Sequence, residues 1–375
     1  MGACSMKRDF NGKKVLILCG AELEKAPYVL PYIELLKQNS VPFDVLCQKS
    51  QMAVDVVGEN VIGFGKVYDG TAPGWKKFLM MLEQAKFAKR VIRKNGYGKV
   101  IVFTAQKGIF LSRFLKKNYF GQYVLDIRDY TPLLRIPLCN RLLKSVIDNS
   151  AYTVISSAGF KRWLPESDKY IVCHNTSFEM IEYGLCDKIE KERGKHESSQ
   201  VTKLLTIGQI RDTEANAAVI DAIQTDKHLE MYFVGSGNSV PSLESHCRDH
   251  NSERVTFAGR YHKKDEQSIV EQYDMINSYM NHDINSDSLL TNRLYLSAIL
   301  RKPILVRKGT FQAKLVEHYG LGLAVESVDT LSSDIKCYLE NIDMSRYDSN
   351  CKRFLNDVKA ENRQWESSIL SFVNG

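Results

Sequence analysis

Short, continuous apolar runs alternate along the chain with longer stretches in which apolar residues recur at helical spacing. KKVLILCG (13–20) opens the series, and PFDVLCQ (42–48), KVIVFTA (99–105), YVLDIRD (123–129) and AYTVISS (151–157) continue it. Runs without polar alternation predict strands covered on both faces, hence a parallel sheet. Intervening segments such as APYVLPYIELLKQNS (26–40) predict the covering helices. Strand–helix alternation of this kind defines an α/β fold.

The rhythm breaks at GLCDKIEKERGKHESSQ (184–200), which is charged and lacks large apolar clusters, and so reads as a linker. It restarts with KLLTIGQI (203–210), LEMYFVGSG (229–237), RVTFAGR (254–260), DMINSYMN (274–281), PILV (303–306) and GLAVE (322–326). The pattern predicts two doubly wound, Rossmann-like domains facing a cleft, at 13–183 and 201–345. A final helix over 346–375 offers Phe354, Val358, Trp365, Ile369 and Phe372 as apolar contacts. Such sheets bind ligands at the carboxyl ends of their strands.

Composition adds limits. With 375 residues, 44% hydrophobic and 25% charged, the chain has the make-up of a soluble globular protein. Its nine cysteines form no CxxC pair and no Cys/His metal spacing, which fits a reducing compartment. The start, MGACSMKRDFNGKK, has no apolar signal core, and its Gly2 and Cys4 make only a faint acylation pattern because Ser5 misses the usual position. No apolar run has the roughly 18 residues of a spanning helix, so the expected location is cytoplasmic. Within the net charge of +7, residues 75–99 stand out, with eight Lys/Arg against the single acid Glu83. Trp75, Phe78, Leu79, Leu82, Phe87 and Val91 punctuate them at helical spacing. This is either a helix with a solvated basic face or one that rests on anionic lipid headgroups at the inner face of a membrane. No nucleic-acid-binding motif accompanies the charge.

KLLTIGQIR, LEMYFVGSGN, RVTFAGRY and NRLYLSAILRKPILVRKGTFQAKLVEHYGLGLAV stand in an order and spacing that resemble GT-B-fold glycosyltransferases. They are most similar to family 4-like bacterial enzymes of capsular or other surface polysaccharides. The likeness covers 13–375 and is strongest from 203 to 326. It implies a nucleotide-sugar donor bound mainly by the second domain, a glycan or lipid-linked acceptor bound by the first, and a last helix that crosses back to the first domain. Retention of anomeric configuration is implied by the same likeness. Relatives carry two glutamates, eight positions apart, that hold the ribose and the donor sugar. The matching positions here are Ser288 and Leu296, neither acidic.

Under this likeness TNRLYLSAILRKPILV (291–306) becomes intelligible. A helix beginning at Thr291 or Asn292 aims free N–H groups and a positive dipole end at a diphosphate, with Asn292 and Arg293 where relatives have Asn-Lys. Arg211, just past a strand, suits bidentate phosphate contacts or is an ordinary surface arginine; the relatives' lysine a few residues on is replaced near Glu214. Gly208 leaves room for close backbone approach. Gly235 and Gly237 in VGSGN form a glycine-rich turn beside the nucleotide rather than a complete dinucleotide fingerprint. Arg260 faces the base or solvent. Gly309 and Thr310 offer either a second set of donors or a plain helix cap.

In LDIRDY, alternation puts Asp126 and Arg128 on one face and Asp129 on the other. One of the acids orients or deprotonates an acceptor hydroxyl, or the first two form a buried structural pair. Asp283 and Asp287 are the acids nearest the missing glutamates, and Asp287 is the candidate substitute. His174, near the domain junction, reads as structural. No metal-ligand cluster appears, and arginines with helix ends suffice for phosphate charge. The expectation is a metal-independent, hexosyltransferase-type glycosyltransferase without cofactor. The alternatives are a non-catalytic partner of the same fold and a nucleotide-sugar epimerase.

Overall fold

The structure, a computed structural model, describes residues 14–48, 50–65, 73–186, 201–224 and 226–375. It divides into two compact units, Met1–Asn175 with Glu361–Gly375, and Thr176–Ala360.

The first unit holds seven strands: β1 (Val15–Leu18), β2 (Phe43–Cys47), β3 (Val61–Gly63), β4 (Lys99–Phe103), β5 (Tyr123–Ile127), β6 (Tyr152–Ile155) and β7 (Tyr170–Val172). They form one parallel sheet in the order β3-β2-β1-β4-β5-β6-β7. Its helices are α1 (Leu30–Gln38), α2 (Gln51–Val57), α3 (Gly74–Asn95), α4 (Ala105–Asn118) and α5 (Pro137–Asn149). The sheet is apolar on both faces because both are covered, as the unalternating runs require. The edge strands β3 and β7 fall outside the predicted runs. At three residues each they are too short to show a period.

The second unit holds β8 (Thr202–Gln209), β9 (Leu229–Ser236), β10 (Val255–Gly259), β11 (Met275–Ser278), β12 (Ile304–Arg307) and β13 (Gly322–Val325). They form a parallel sheet in the order β10-β9-β8-β11-β12-β13. Its helices are α6 (Phe178–Leu185), α7 (Thr213–Gln224), α8 (Val240–Asp249), α9 (Glu266–Glu271), α10 (Asn292–Ile299), α11 (Phe311–Tyr319), α12 (Leu331–Asn341) and the first part of α13 (Met344–Asn374).

The first unit ends at Asn175 rather than at 183 because α6 packs with the second. Ile181 is fully buried in that core, and Arg301 Nη2 donates to the Gly184 carbonyl at 2.7 Å. Of the expected linker, residues 187–200 lie outside the described residues, as does the N-terminal stretch through residue 13. No helix among the described residues is long and apolar enough to cross a membrane.

The last turns of α13 belong to the first unit's core through Trp365, Ile369, Phe372 and Val373. Trp365 meets Tyr32 edge-on at 4.8 Å, and its indole Nε1 is buried without a hydrogen-bond partner among the described residues. Trp365→Ala is expected to cost about 3–5 kcal/mol, the range for emptying a large aromatic site. Trp365→Phe should cost clearly less, since the lost N–H has no partner to strand. Urea unfolding of the two variants checks the difference.

Candidate functional site

In a doubly wound sheet the ligand crevice opens where strand order reverses. In the second unit that point lies between β8 and β11. These strands pair only at Leu204–Met275 and Leu205–Ile276, whereas β8 and β9 stay paired for eight residues. Past the last pair, side chains bridge the gap. Asn277 Nδ2 donates to Thr206 Oγ1 at 2.9 Å. Arg293, from the first turn of α10, donates through Nε to the Ile207 carbonyl at 2.8 Å and through Nη2 to the Gln209 carbonyl at 3.0 Å. Backbone carbonyls need partners, and a guanidinium supplies what β11 withholds.

Arg211 is exposed beside this crevice and donates to the Gln209 side chain. Neither Arg211 nor Arg293 forms an ion pair with a carboxylate among the described residues. Burial pulls the Arg293 guanidinium down to about 10, with nearby Asp212 acting in the opposite direction. Burial in turn raises the Asp212 carboxyl, against the backbone N–H of Asn281 that stabilises its charge. Both groups are pulled towards neutrality, so loss of water outweighs their mutual attraction. An anion between the guanidiniums would meet an unfilled demand. Tyr261, which sequence reasoning passed over, sets its hydroxyl near Gly208 and donates to Glu266 at 2.6 Å.

The start of α10 is open. Thr291 is its N-cap, but the hydroxyl donates to Gln312 Oε1 at 2.8 Å instead of covering the helix amides, and Asn292 is exposed. The two positions matched to the relatives' glutamates are closed. Ser288 is buried and donates to the Ile284 carbonyl at 2.6 Å, while Leu296 belongs to the apolar core. The two positions that would carry glutamates by resemblance hold no acid and point inward.

Three of the candidate residues have local roles in the fold. Gly235 and Gly237 have a structural reason: a Cβ would lie 1.9 Å from the Gly208 carbonyl oxygen and 1.8 Å from that of Ile210. Both glycines are required by the close approach of the β8 and β9 ends. Thr310 is 2% exposed, accepts the Ala313 N–H at 3.0 Å and donates to the Arg307 carbonyl, so its hydroxyl caps α11 and is not available to a donor. Arg260 is exposed past the edge strand β10, and it is the following residue, Tyr261, that reaches Gly208.

Asp287 does not present its carboxylate alone. Oδ1 lies 2.6 Å from His282 Nδ1, a histidine that nothing in the sequence singles out. Gly309, with φ +82°, passes close to that imidazole.

In the first unit the reversal falls between β1 and β4. Asp126, fully buried, accepts from Arg128 at 2.5 and 2.6 Å and from the Tyr32 hydroxyl at 2.7 Å. Arg128 Nη1 also holds the Cys173 carbonyl and Asn175. The pair is structural as built: an enclosed, saturated carboxylate is not placed to take an acceptor's proton. Asp129, on the opposite face, is exposed. His174 Nε2 lies 2.5 Å from Glu361 and its N–H donates to Asn362, which fixes the chain end to α13. Among the described residues no cluster of His, Cys, Asp or Glu is arranged to hold a metal.

Lys107, in the first turn of α4, is the unexpected cation of this unit. Its amine has no ion pair or hydrogen bond among the described residues, and burial pushes it below the ordinary lysine range, with the Cys19 thiol as a lesser, opposing influence. Its folded-state pKa lies below the unfolded value, so between the two the unfolded chain binds more protons. Stability from this site therefore rises as pH climbs through that window. Lys107→Met should raise stability at neutral pH by on the order of 1 kcal/mol and flatten the rise towards alkaline pH. Thermal melts across pH measure both.

No family model matches the chain, and no curated protein sequence matches it. Solved structures do. HepE of Anabaena, solved in complex with UDP, superposes with a TM-score of 0.69 at 14% identity, covering 96% of this chain and 100% of that one. Sucrose-phosphate synthase from Thermosynechococcus elongatus gives 0.69 at 13% identity over 94% and 97%. The lipopolysaccharide outer core galactosyltransferase WaaB, in its apo form, gives 0.64 at 11% identity over 96% and 99%. These likenesses, together with the two parallel sheets, give the chain the GT-B fold.

Proposed function

We propose that the chain is a glycosyltransferase that moves a hexose-type unit from a nucleotide-sugar to a glycan or lipid-linked acceptor in surface polysaccharide synthesis. The observation that carries this reading is the pair of guanidiniums, Arg211 and Arg293, without carboxylate partners at the β8/β11 reversal of a GT-B fold. HepE, of the same fold, was solved with UDP. Bond cleavage at the anomeric carbon leaves charge on the departing diphosphate. Two planar cations and the open first turn of α10 suit that charge, and they strengthen their hold as it develops. The reading assigns no metal or cofactor to this step. Retention of configuration rests on the sequence resemblance. On the acceptor side, Asp129 is the acid with an exposed carboxylate at a strand's carboxyl end.

A non-catalytic role is favoured by one observation, the inward placement of Ser288 and Leu296. Binding of a sugar nucleotide without transfer to any acceptor or to water would select it. For the enzyme reading, Arg211→Ala is expected to weaken nucleoside diphosphate binding by about 1.5–3 kcal/mol, the range for a hydrogen bond to a charged group. Titration calorimetry on folded protein reads this, and unchanged affinity removes Arg211 from the site.

A lipid-linked acceptor implies work at a membrane surface, at its cytoplasmic face. The helix α3 fits such a surface: Trp75, Phe78 and Leu79 are 62%, 47% and 48% exposed at its start, with Lys76 set over the Trp75 ring. Binding to vesicles should increase with anionic lipid and decline with salt. Trp75→Ser should weaken it several-fold in co-sedimentation. A wild type that stays in the supernatant at all salt concentrations leaves the solvated-face reading.

A further inference from the structure

We propose that His282, held by Asp287, is the donor-sugar hydroxyl acceptor of this site, standing in for the carboxylates missing at Ser288 and Leu296; the inference rests on the donor-site reading above. His282 lies just past β11, on the rim of the β8/β11 reversal. The preceding residue ties that rim to the Arg211–Asp212 loop, since Asn281 Oδ1 accepts the Ala215 N–H at 3.0 Å and its own N–H meets the Asp212 carboxylate. The imidazole therefore stands at the same end of the sheet as the two guanidiniums.

Its orientation is fixed from behind. Nδ1 lies 2.6 Å from Asp287 Oδ1. A carboxylate only accepts, so Nδ1 carries the proton in the neutral ring, and the lone pair falls on Nε2. Asp287 is itself clamped: its N–H donates to the Asp283 carbonyl at 2.9 Å, and its carbonyl accepts the Phe311 N–H at 2.8 Å. Asp283 accepts the N–H groups of Asn285 and Ser286.

On the other side the ring is bounded by Gly309. A Cβ there would come within 3.2 Å of Cε1 and 3.8 Å of Nε2. Glycine at 309 keeps the Nε2 edge clear, and that nitrogen has no partner among the described residues. The imidazole side chain is 43% exposed, so a ligand reaches it. A diphosphate held by Arg211 and Arg293 leaves a sugar, whose hydroxyls donate, as the next group outward. What that sugar meets is an imidazole nitrogen held in a fixed position by Asp287.

The test compares a nucleoside diphosphate with its hexose conjugate, UDP with UDP-glucose and GDP with GDP-mannose, in calorimetry on folded wild type and variants. His282→Ala should weaken binding of the preferred sugar nucleotide about tenfold and leave the diphosphate within about threefold. His282→Gln, whose amide oxygen reaches the Nε2 position, should recover part of the loss. Asp287→Asn, which turns the tautomer so that Nε2 carries the proton, should show the same selective loss. Equal loss on both ligands would place His282 on phosphate and overturn the inference, as would no loss on either. A wild type that binds no nucleoside diphosphate would overturn the donor-site reading itself. Loss confined to Arg211→Ala would overturn only the role of His282.

Discussion

The parting of β8 and β11 after two paired positions is the constraint on which the second unit's chemistry depends. A strand that loses its neighbour exposes carbonyls that must be satisfied. Arg293 satisfies two of them, and in doing so it draws a cation from α10 to the point where the sheet opens. The crevice and its charge thus have one cause. A neutral bridge such as Asn277 would serve the carbonyls, and one stands a short way down the same gap. The guanidinium adds donors in excess of those the backbone uses, and the excess is what an anionic ligand needs.

The two units show how differently an arginine near a strand end can be used. Arg128 is matched by Asp126 in a bidentate pair, with Tyr32, Cys173 and Asn175 completing the shell. Removing one partner there would leave a buried charge, so the pair fixes its strand end and offers nothing to a ligand. Arg293 is bound to carbonyls only, which orient it without cancelling its charge. Composition cannot tell these apart, because both arginines sit near strand ends and both have an aspartate nearby. The distinction is whether the carboxylate and guanidinium touch.

This explains what could be read from the sequence. Strands buried on both faces produce unbroken apolar runs, so eleven of the thirteen strands announce themselves, while β3 and β7 are too short to do so. The helix at Asn292 was legible from its polar opening and apolar sequel, and the Asp126–Arg128 face from alternation alone. Pairings across distant segments were not. His282 meets Asp287 through a loop with no regular period, and Tyr261, past β10, reaches Gly208 on β8 across the intervening β9. The glycines of VGSGN carry two readings for one physical reason: room for a phosphate and room for a neighbouring strand require the same missing side chain.

The helix α10 ties these strands of argument together. From Leu294 to Ile299 every residue is buried, and Leu296 packs where a glutamate would need water or a ligand. A carboxylate there, without a bound sugar, would carry a heavy desolvation cost in this core. The chain has instead made the helix a largely apolar strut that meets the crevice at its first turn, through the open amides and Arg293. Under the proposed function, recognition of phosphate would survive such a change, because it would draw on backbone and guanidinium at the helix start. Recognition of the sugar would not, because it needs acceptors farther along. Those acceptors must come from irregular segments around the crevice, where polar side chains can be held at no expense to the core. The loop from Asn281 to Asp287 is such a segment, braced by Asp283 and tied to α11 through Phe311.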